Sequence, residues 1–303
     1  MAISRSQLVK ELEPGLNALF GLEYKRYENQ HAEIYTAENS DRAFEEEVML
    51  SGFANAQVKA EGSGVSFDEA QETFTARYTH ETVALAFAIT EEAIEDNLYD
   101  RLASRYTKAL ARSMSNAKQV KAVEPLIQGL PSTDGFDSGD GVSLFNTQHP
   151  TVAGTFQNTL TTQADLNETS LEQSMIDIAK MTDERGLRVA ARGVKMIIPS
   201  ELQFTAERLM KSQGRTGTAD NDINAIVSMG MVPQGYRVNN YLTDSDAFYI
   251  ITDVPNGMKM FNRAPLTTAM EGDFDTGNVR YKARERYSFG VSDPRGIFGV
   301  EGA

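Results

Sequence analysis

Thr82-Val83-Ala84-Leu85-Ala86-Phe87-Ala88-Ile89-Thr90-Glu91-Glu92-Ala93-Ile94 joins a strand pattern to a helix pattern with no loop between them. Through Ile89 the bulky apolar side chains take every second position, which gives a strand one large-residue face and one small-residue face. From Glu91 the period changes. Ile94, Leu98, Leu102, Tyr106, Leu110, Met114, Ala117 and Val120 follow a helical spacing, with Thr90 as N-cap and Glu91 and Glu92 favourable to the helix dipole. An unbroken helix to Val123 would be roughly 50 Å long, more than a compact domain of this size needs.

Upstream of that junction, Glu45 to Ile89 reads as one long hairpin. Its strands run from Glu46 to Ala60 and from Glu72 to Ile89, and its tip is Glu61-Gly62-Ser63-Gly64-Val65-Ser66, where two glycines permit a tight reversal. Phe74, Ala76 and Tyr78 fall on even numbers while Val83, Leu85, Phe87 and Ile89 fall on odd ones, so a bulge is predicted between Thr79 and Thr82. Two strands alone leave both edges unpaired, which makes the hairpin a reach toward something else. Residues 1–44 read as an arm. Leu8, Leu12, Leu16, Leu19 and Phe20 form an apolar stripe that Pro14-Gly15 interrupts, predicting one short helix or two broken turns ordered by a neighbouring subunit.

Downstream, Gly129 to Gly141 is a turn-rich loop whose Asp134, Asp137 and Asp140 miss the spacing of a calcium loop. Thr147 to Thr162 is loop or short edge strand. An amphipathic helix from Asn167 carries Leu171, Met175, Ile178 and Met181. Val194 to Ile198 is a buried strand closed by Pro199, and Ser200 is placed to cap a helix with Leu202, Ala206 and Leu209. Ser212 to Asp220 is flexible by composition. Two strands flank Thr243-Asp244-Ser245-Asp246, Met258-Lys259-Met260-Phe261 is a third, and Gly277 to Val300 alternates as strands with a break at Asp293-Pro294-Arg295-Gly296. This last segment is expected to return beside the long helix.

Phe87-Ala88-Ile89-Thr90-Glu91-Glu92-Ala93-Ile94-Glu95-Asp96-Asn97-Leu98, followed about fifty residues later by Leu144-Phe145-Asn146-Thr147-Gln148-His149-Pro150, resembles the Mu-like family of tailed-phage major head proteins. In that family a strand enters an acidic-capped spine helix and a Phe-x-x-x-His-Pro turn follows. Ala283 to Val291, Pro294 and Ile297-Phe298-Gly299-Val300 resemble the closing strands of the wider capsid fold named after phage Hong Kong 97. The resemblance implies an α+β, Hong Kong 97-type fold: N-terminal arm (1–44), extended hairpin loop (45–89), peripheral domain with the spine helix (90–165), axial domain (166–266), and C-terminal strands returning to the peripheral domain (267–303). It implies a major capsid protein that self-assembles as pentamers and hexamers into the icosahedral head of a tailed bacteriophage around double-stranded DNA. That would make it a virion component assembled in the host cytoplasm, with no enzymatic activity and no cofactor. The implied partners are other copies of the chain, a scaffolding protein, a portal and a decoration protein. Only about 44 residues precede the hairpin, too few for a built-in scaffolding domain, so a separate scaffold is expected unless the arm itself serves. Leu12, Leu16, Phe20, Phe53, Lys59, Val65, Phe67, Phe74 and Tyr78 are the expected intersubunit contacts. Some relatives of this fold weld subunits through a lysine-to-asparagine isopeptide bond, and Lys59 lies where such a lysine would sit.

Composition agrees with a self-associating structural chain. The 303 residues suffice for a sizeable core, and 41% are apolar, yet no run approaches the roughly 20 apolar residues of a membrane span. Met1-Ala2-Ile3-Ser4-Arg5-Ser6 has no apolar signal core, and with no cysteine there are neither disulfides nor thiolate metal sites. Against 29 Lys and Arg stand 43 Asp and Glu, a net charge of −14. A nucleic-acid grip usually shows a basic patch; this chain has no such run, so DNA is expected to be contained without sequence-specific binding. His31, His80 and His149 are isolated from one another, and the nucleophile elbow, the phosphate loop and the dinucleotide fingerprint are all absent. His149, before Pro150, reads as a turn cap. An encapsulin-like nanocompartment shell and, from another class, a soluble hydrolase with a site gathered from distant residues stay open as alternatives.

Overall fold

The computed structural model describes residues 5–90, 92, 99–133, 135–214, 222–273 and 277–303. The chain opens with α1 (Arg5–Tyr24), a short 3-10 turn (Gln30–Glu33), β1 (Thr36–Asn39), β2 (Phe44–Leu50), β3 (Glu72–Thr79) and β4 (Glu81–Ile89). The long helix α2 (Tyr99–Gln128), the hairpin of β5 (His149–Thr151) and β6 (Gly154–Phe156), α3 (Glu168–Lys180) and β7 (Gly193–Ile198) follow. Next come α4 (Gln203–Lys211), α5 (Ala225–Met229), β8 (Tyr236–Val238), β9 (Phe248–Thr252), β10 (Met258–Gly272), β11 (Val279–Val291) and β12 (Ile297–Val300). Two four-stranded sheets organise the molecule, one in the order β1-β10-β11-β4 and the other β12-β9-β7-β8, with β2-β3 and β5-β6 as separate two-stranded ribbons.

α2 is about 45 Å long and crosses the first sheet. The helix start expected from the sequence, with Glu91, Ile94 and Leu98, falls outside the described residues, as do Asp134 and most of Ser212 to Asp220. The helix buries Ala103, Leu110, Ala111, Met114, Ala122, Val123 and Leu126, whereas Tyr106 and Val120 of the expected stripe are half exposed. Steps of four residues advance about 40° around a helix, so a stripe built only on that step winds off the buried face. Small residues at Ala103, Ala111 and Ala122 bring the helix close to the sheet instead.

The arm expectation is corrected. α1 runs unbroken through Pro14, which with Gly15 sits on the exposed side, where water can satisfy the carbonyl left without a donor. Leu16 and Phe20 are buried against Leu110, Met114, Tyr281 and Ala283 of the same chain, and Phe20 also stacks on Tyr24. Burial against α2 and β11 outweighs the local cost of the proline. β1 enters the first sheet parallel to β10, so residues 36–39 belong to the body.

The long hairpin also divides differently. β2 pairs with β3 only from Phe44–Leu50 to Glu72–Thr79, and residues 51–71 form no strand. At His80 the chain changes sheets, because β4 pairs with β11 and not with β2. The change of parity after Tyr78 marks that transfer, where a bulge was expected. The boundary drawn between residues 266 and 267 falls inside β10, whose Met258 pairs with Val291 at one end and whose Gly272 pairs with Val279 at the other.

The second lobe packs α3, α4 and α5 on β7-β9-β12 around Leu171, Ile178, Met196, Phe248, Ile250 and Phe298. Asn167 caps α3, accepting from the Ser170 amide while the Ser170 hydroxyl accepts from the Asn167 amide. Ser200 does not cap α4: a 3-10 turn spans Ser200–Leu202, and the serine hydroxyl donates to Glu201. Between the lobes, Phe145 packs on Tyr249 with ring centroids 5.5 Å apart, and a Cβ at Gly299 would lie 2.6 Å from the Phe145 ring. Four residues on, His149 is fully buried, stacked on Phe156 and bridging Asp140 (2.7 Å) and Asn158 (3.0 Å). The Phe-x-x-x-His-Pro turn therefore fastens the loop after α2 to the β5-β6 hairpin; the imidazole spans two segments, and the expectation of a simple turn cap is corrected.

His31 lies in the 3-10 turn after α1, its backbone amide donating to Gln119 and its ring edge-on to Phe289. Burial, reinforced by the Lys118 ammonium, pulls the imidazole down to about 4. A folded value below the ordinary 6.5 stabilises the fold above pH 6.5, and that stability is lost as pH falls toward 4. The loss over this window is about 3 kcal/mol. His31→Asn is expected to flatten the pH dependence of unfolding between 6.5 and 4, as followed by urea denaturation. Nearby Glu285, raised by burial although Lys118 and Tyr24 oppose it, acts with the opposite sign and is unchanged in the comparison.

Candidate assembly surface

Residues 53–70 are exposed at every position. Phe53 is 62% exposed, Val58 100%, Val65 69% and Phe67 97%. Large apolar side chains this open on one continuous segment mark a surface built for covering. The segment keeps some internal order: Asp68 accepts from the amides of Ala54 (2.6 Å) and Glu69 (3.0 Å), and Ser51 pairs with Gln71 at the root. Arg185 of the second lobe donates to the Glu69 carbonyl and lies 3.8 Å from Asp68.

Below the loop, the β2-β3 ribbon is locked to the body. Tyr78 packs edge-on to Phe261 and its hydroxyl meets Ser292. His80 joins Ser40 and Ser288, each at 2.9 Å. Lys259 reaches both Glu38 and Glu47; burial lowers its ammonium's value, but the two carboxylates together hold it above the usual lysine range. The arrangement is a rigid root under a solvent-facing loop, suited to presenting that loop to another molecule.

The expected contact residues therefore separate. Phe53, Val65 and Phe67 are open on the loop, Lys59 is exposed just before its turn, and Phe74 is half-buried on β3. Leu16, Phe20 and Tyr78 instead lie buried in the chain's own cores. The Leu12 side chain lies outside the described residues. The second lobe also exposes Phe204, Ile223 and Met229, each more than two-thirds open to solvent and not singled out by the sequence pattern. Phe204 on α4, Met229 on α5 and Ile223 in the segment before α5 stand singly, with no periodic signal in the sequence. Among the described residues no three His, Asp or Glu side chains gather as a metal site, and no helix is long and apolar enough to cross a membrane.

A family model described as phage capsid protein matches residues 72–300. Among solved structures, that titled Mycobacterium phage Ogopogo is similar with a TM-score of 0.54 and 12% identity, over 91% of this chain and 92% of that one. The capsid of Myoviridae phage XM1 gives 0.53 and 10%, over 89% and 90%. A virus-like particle from Pyrococcus furiosus gives 0.50 and 12%, over 94% and 98%. No curated protein matches. At these identities the likeness is one of fold.

Proposed function

The chain belongs to the phage capsid protein family and is a shell-forming major capsid protein with the Hong Kong 97-type fold; from this premise we propose how it builds its shell. Copies associate as pentamers and hexamers into the icosahedral head of a tailed phage, enclosing double-stranded DNA without reading its sequence. The observation that carries this reading is the loop of residues 53–70, exposed throughout and rich in apolar side chains on a locked root. One such contact is weak; repeated around a closed symmetric shell, many sum to a stable particle. The Phe145 to Pro150 turn supports a Mu-like subfamily. A separate scaffolding protein, a portal and a decoration protein complete the proposed set of partners, with assembly in the host cytoplasm.

Expressed alone or with its scaffold, the protein is expected to yield megadalton particles by light scattering and closed shells by electron microscopy. A stable monomer or dimer of 33.4 kDa subunits under both conditions would overturn the reading. Lys59 is proposed as the subunit-welding lysine only where denaturing gels of particles show a ladder of covalent oligomers.

A further inference from the structure

From Arg101 to Val123 the chain carries Arg101, Arg105, Lys108, Arg112, Lys118 and Lys121 and no acidic residue, in a protein of net charge −14. Lys118 and Lys121 reach Glu285 and Glu81 of the first sheet. Arg105, Lys108 and Arg112 are exposed instead, and among the described residues none of them has an acidic partner. A helix turns about 100° per residue, so these three fall within roughly 60° of arc, opposite the buried Ala103, Leu110 and Met114. The solvent side of α2 is thus a cationic strip about 10 Å long. Its spacing of three and four residues hides it from a search for consecutive basic residues.

The strip offers charge without an apolar anchor. Ala109, Ser113 and Asn116 stand open beside the cations, and the half-exposed Tyr106 ring already packs on Phe87, with centroids 5.8 Å apart. A protein partner needs an aromatic or aliphatic anchor at its centre, which these side chains do not supply. A phosphate backbone needs only cations and hydrogen-bond donors. A second set of cations, Lys282, Arg284 and Arg286, lies on the far face of the first sheet, where β11 turns Tyr281, Ala283, Glu285 and Tyr287 toward α2. That set shares its concavity with Glu271 and Asp273, whereas the α2 strip is free of acid along its length.

We propose that Arg105, Lys108 and Arg112 on α2 hold the phosphate backbone of the packaged duplex, which places this side of the subunit on the shell interior. This rests on the reading of a DNA-containing shell and names the surface that meets the DNA. Phosphate contacts carry no sequence information, and three per subunit are weak, each adding about 0.9 to the salt dependence of binding. The acidic remainder of the chain repels the duplex, so the DNA is held lightly at these points and slides elsewhere.

Formaldehyde joins lysine amines to DNA bases, so Lys108 and Lys282 report on the two faces. In DNA-filled particles of the unmodified chain, peptide mass spectrometry is expected to find the DNA adduct at Lys108. Filled particles without that adduct, whether or not Lys282 carries one, overturn the inference and leave the shell reading intact. Absence of particles from the unmodified chain would instead remove the shell reading itself. Arg105→Gln with Arg112→Gln keeps the reporter and a good helix former at both positions. It is expected to cut the Lys108 adduct per particle roughly tenfold at unchanged particle yield, and Arg105→Lys with Arg112→Lys to retain it, because charge alone is required. A glutamine variant that loses particles while the adduct per particle stays unchanged would assign the strip to a protein partner such as a scaffold and overturn the DNA assignment.

Discussion

Replacing residues 53–69 with a short Gly-Ser turn is expected to abolish particles while leaving a folded subunit. The two halves of this result have separate causes. Every residue removed is exposed, so the cores around Phe145, Phe248 and Phe20 lose nothing. The root survives because Ser51 and Gln71 still pair and Leu50 still opposes Glu72. What disappears is the exposed apolar surface of Phe53, Val58, Val65 and Phe67, and with it each subunit's hold on the next. The unmodified chain should elute as particles and the variant as a small species with the same far-ultraviolet circular dichroism. Shells of normal size from the variant would show that the loop is dispensable for closure.

The parts of the fold that were legible in the sequence are those whose pattern is local. α3 begins at its Asn167 cap, β7 ends before Pro199, and the alternation of Val83 to Ile89 lies on β4. The parts that were not legible depend on distant partners. Nothing near Pro14 reveals that Tyr281 and Leu110 will hold α1 straight across it. Nothing near Tyr78 reveals that Phe261 and Ser292 will bury it in the chain's own core. A search for consecutive basic residues passes over Lys282, Arg284 and Arg286, because buried residues separate them; folding into a strand puts all three on one face. For the candidate surface, the open loop was visible as a glycine-tipped polar stretch, while the side-by-side placement of β4, β11 and β10 was not.

The loop-replaced subunit also gives an unassembled background in which to measure a buried ion pair whose disruption from one side is expected to be costly. Arg295 is 3% exposed, as is Glu184, and its guanidinium reaches the Glu184 carboxylate at 2.6 Å, Asp293 at 3.1 Å and the Thr182 carbonyl at 2.7 Å. The same group lies 4.2 Å over the Phe156 ring, and the Arg295 carbonyl accepts from Thr252. One side chain thus joins the turn after α3, the β5-β6 hairpin and the turn into β12. Arg295→Met is expected to cost about 3–5 kcal/mol in urea unfolding, because it leaves a buried carboxylate without its counter-charge. Glu184→Leu strands the guanidinium in the same way, although Asp293 retains part of its bonding. The double variant should lose at least about 1 kcal/mol less than the two single losses added together, since neither charge is then left opposite an empty position. It should not regain full stability, because Asp293 and the Thr182 carbonyl still lack their donor. Strictly additive losses would mean that Arg295 and Glu184 stabilise the protein independently, and the three segments would have to be held together by packing around Phe156 alone.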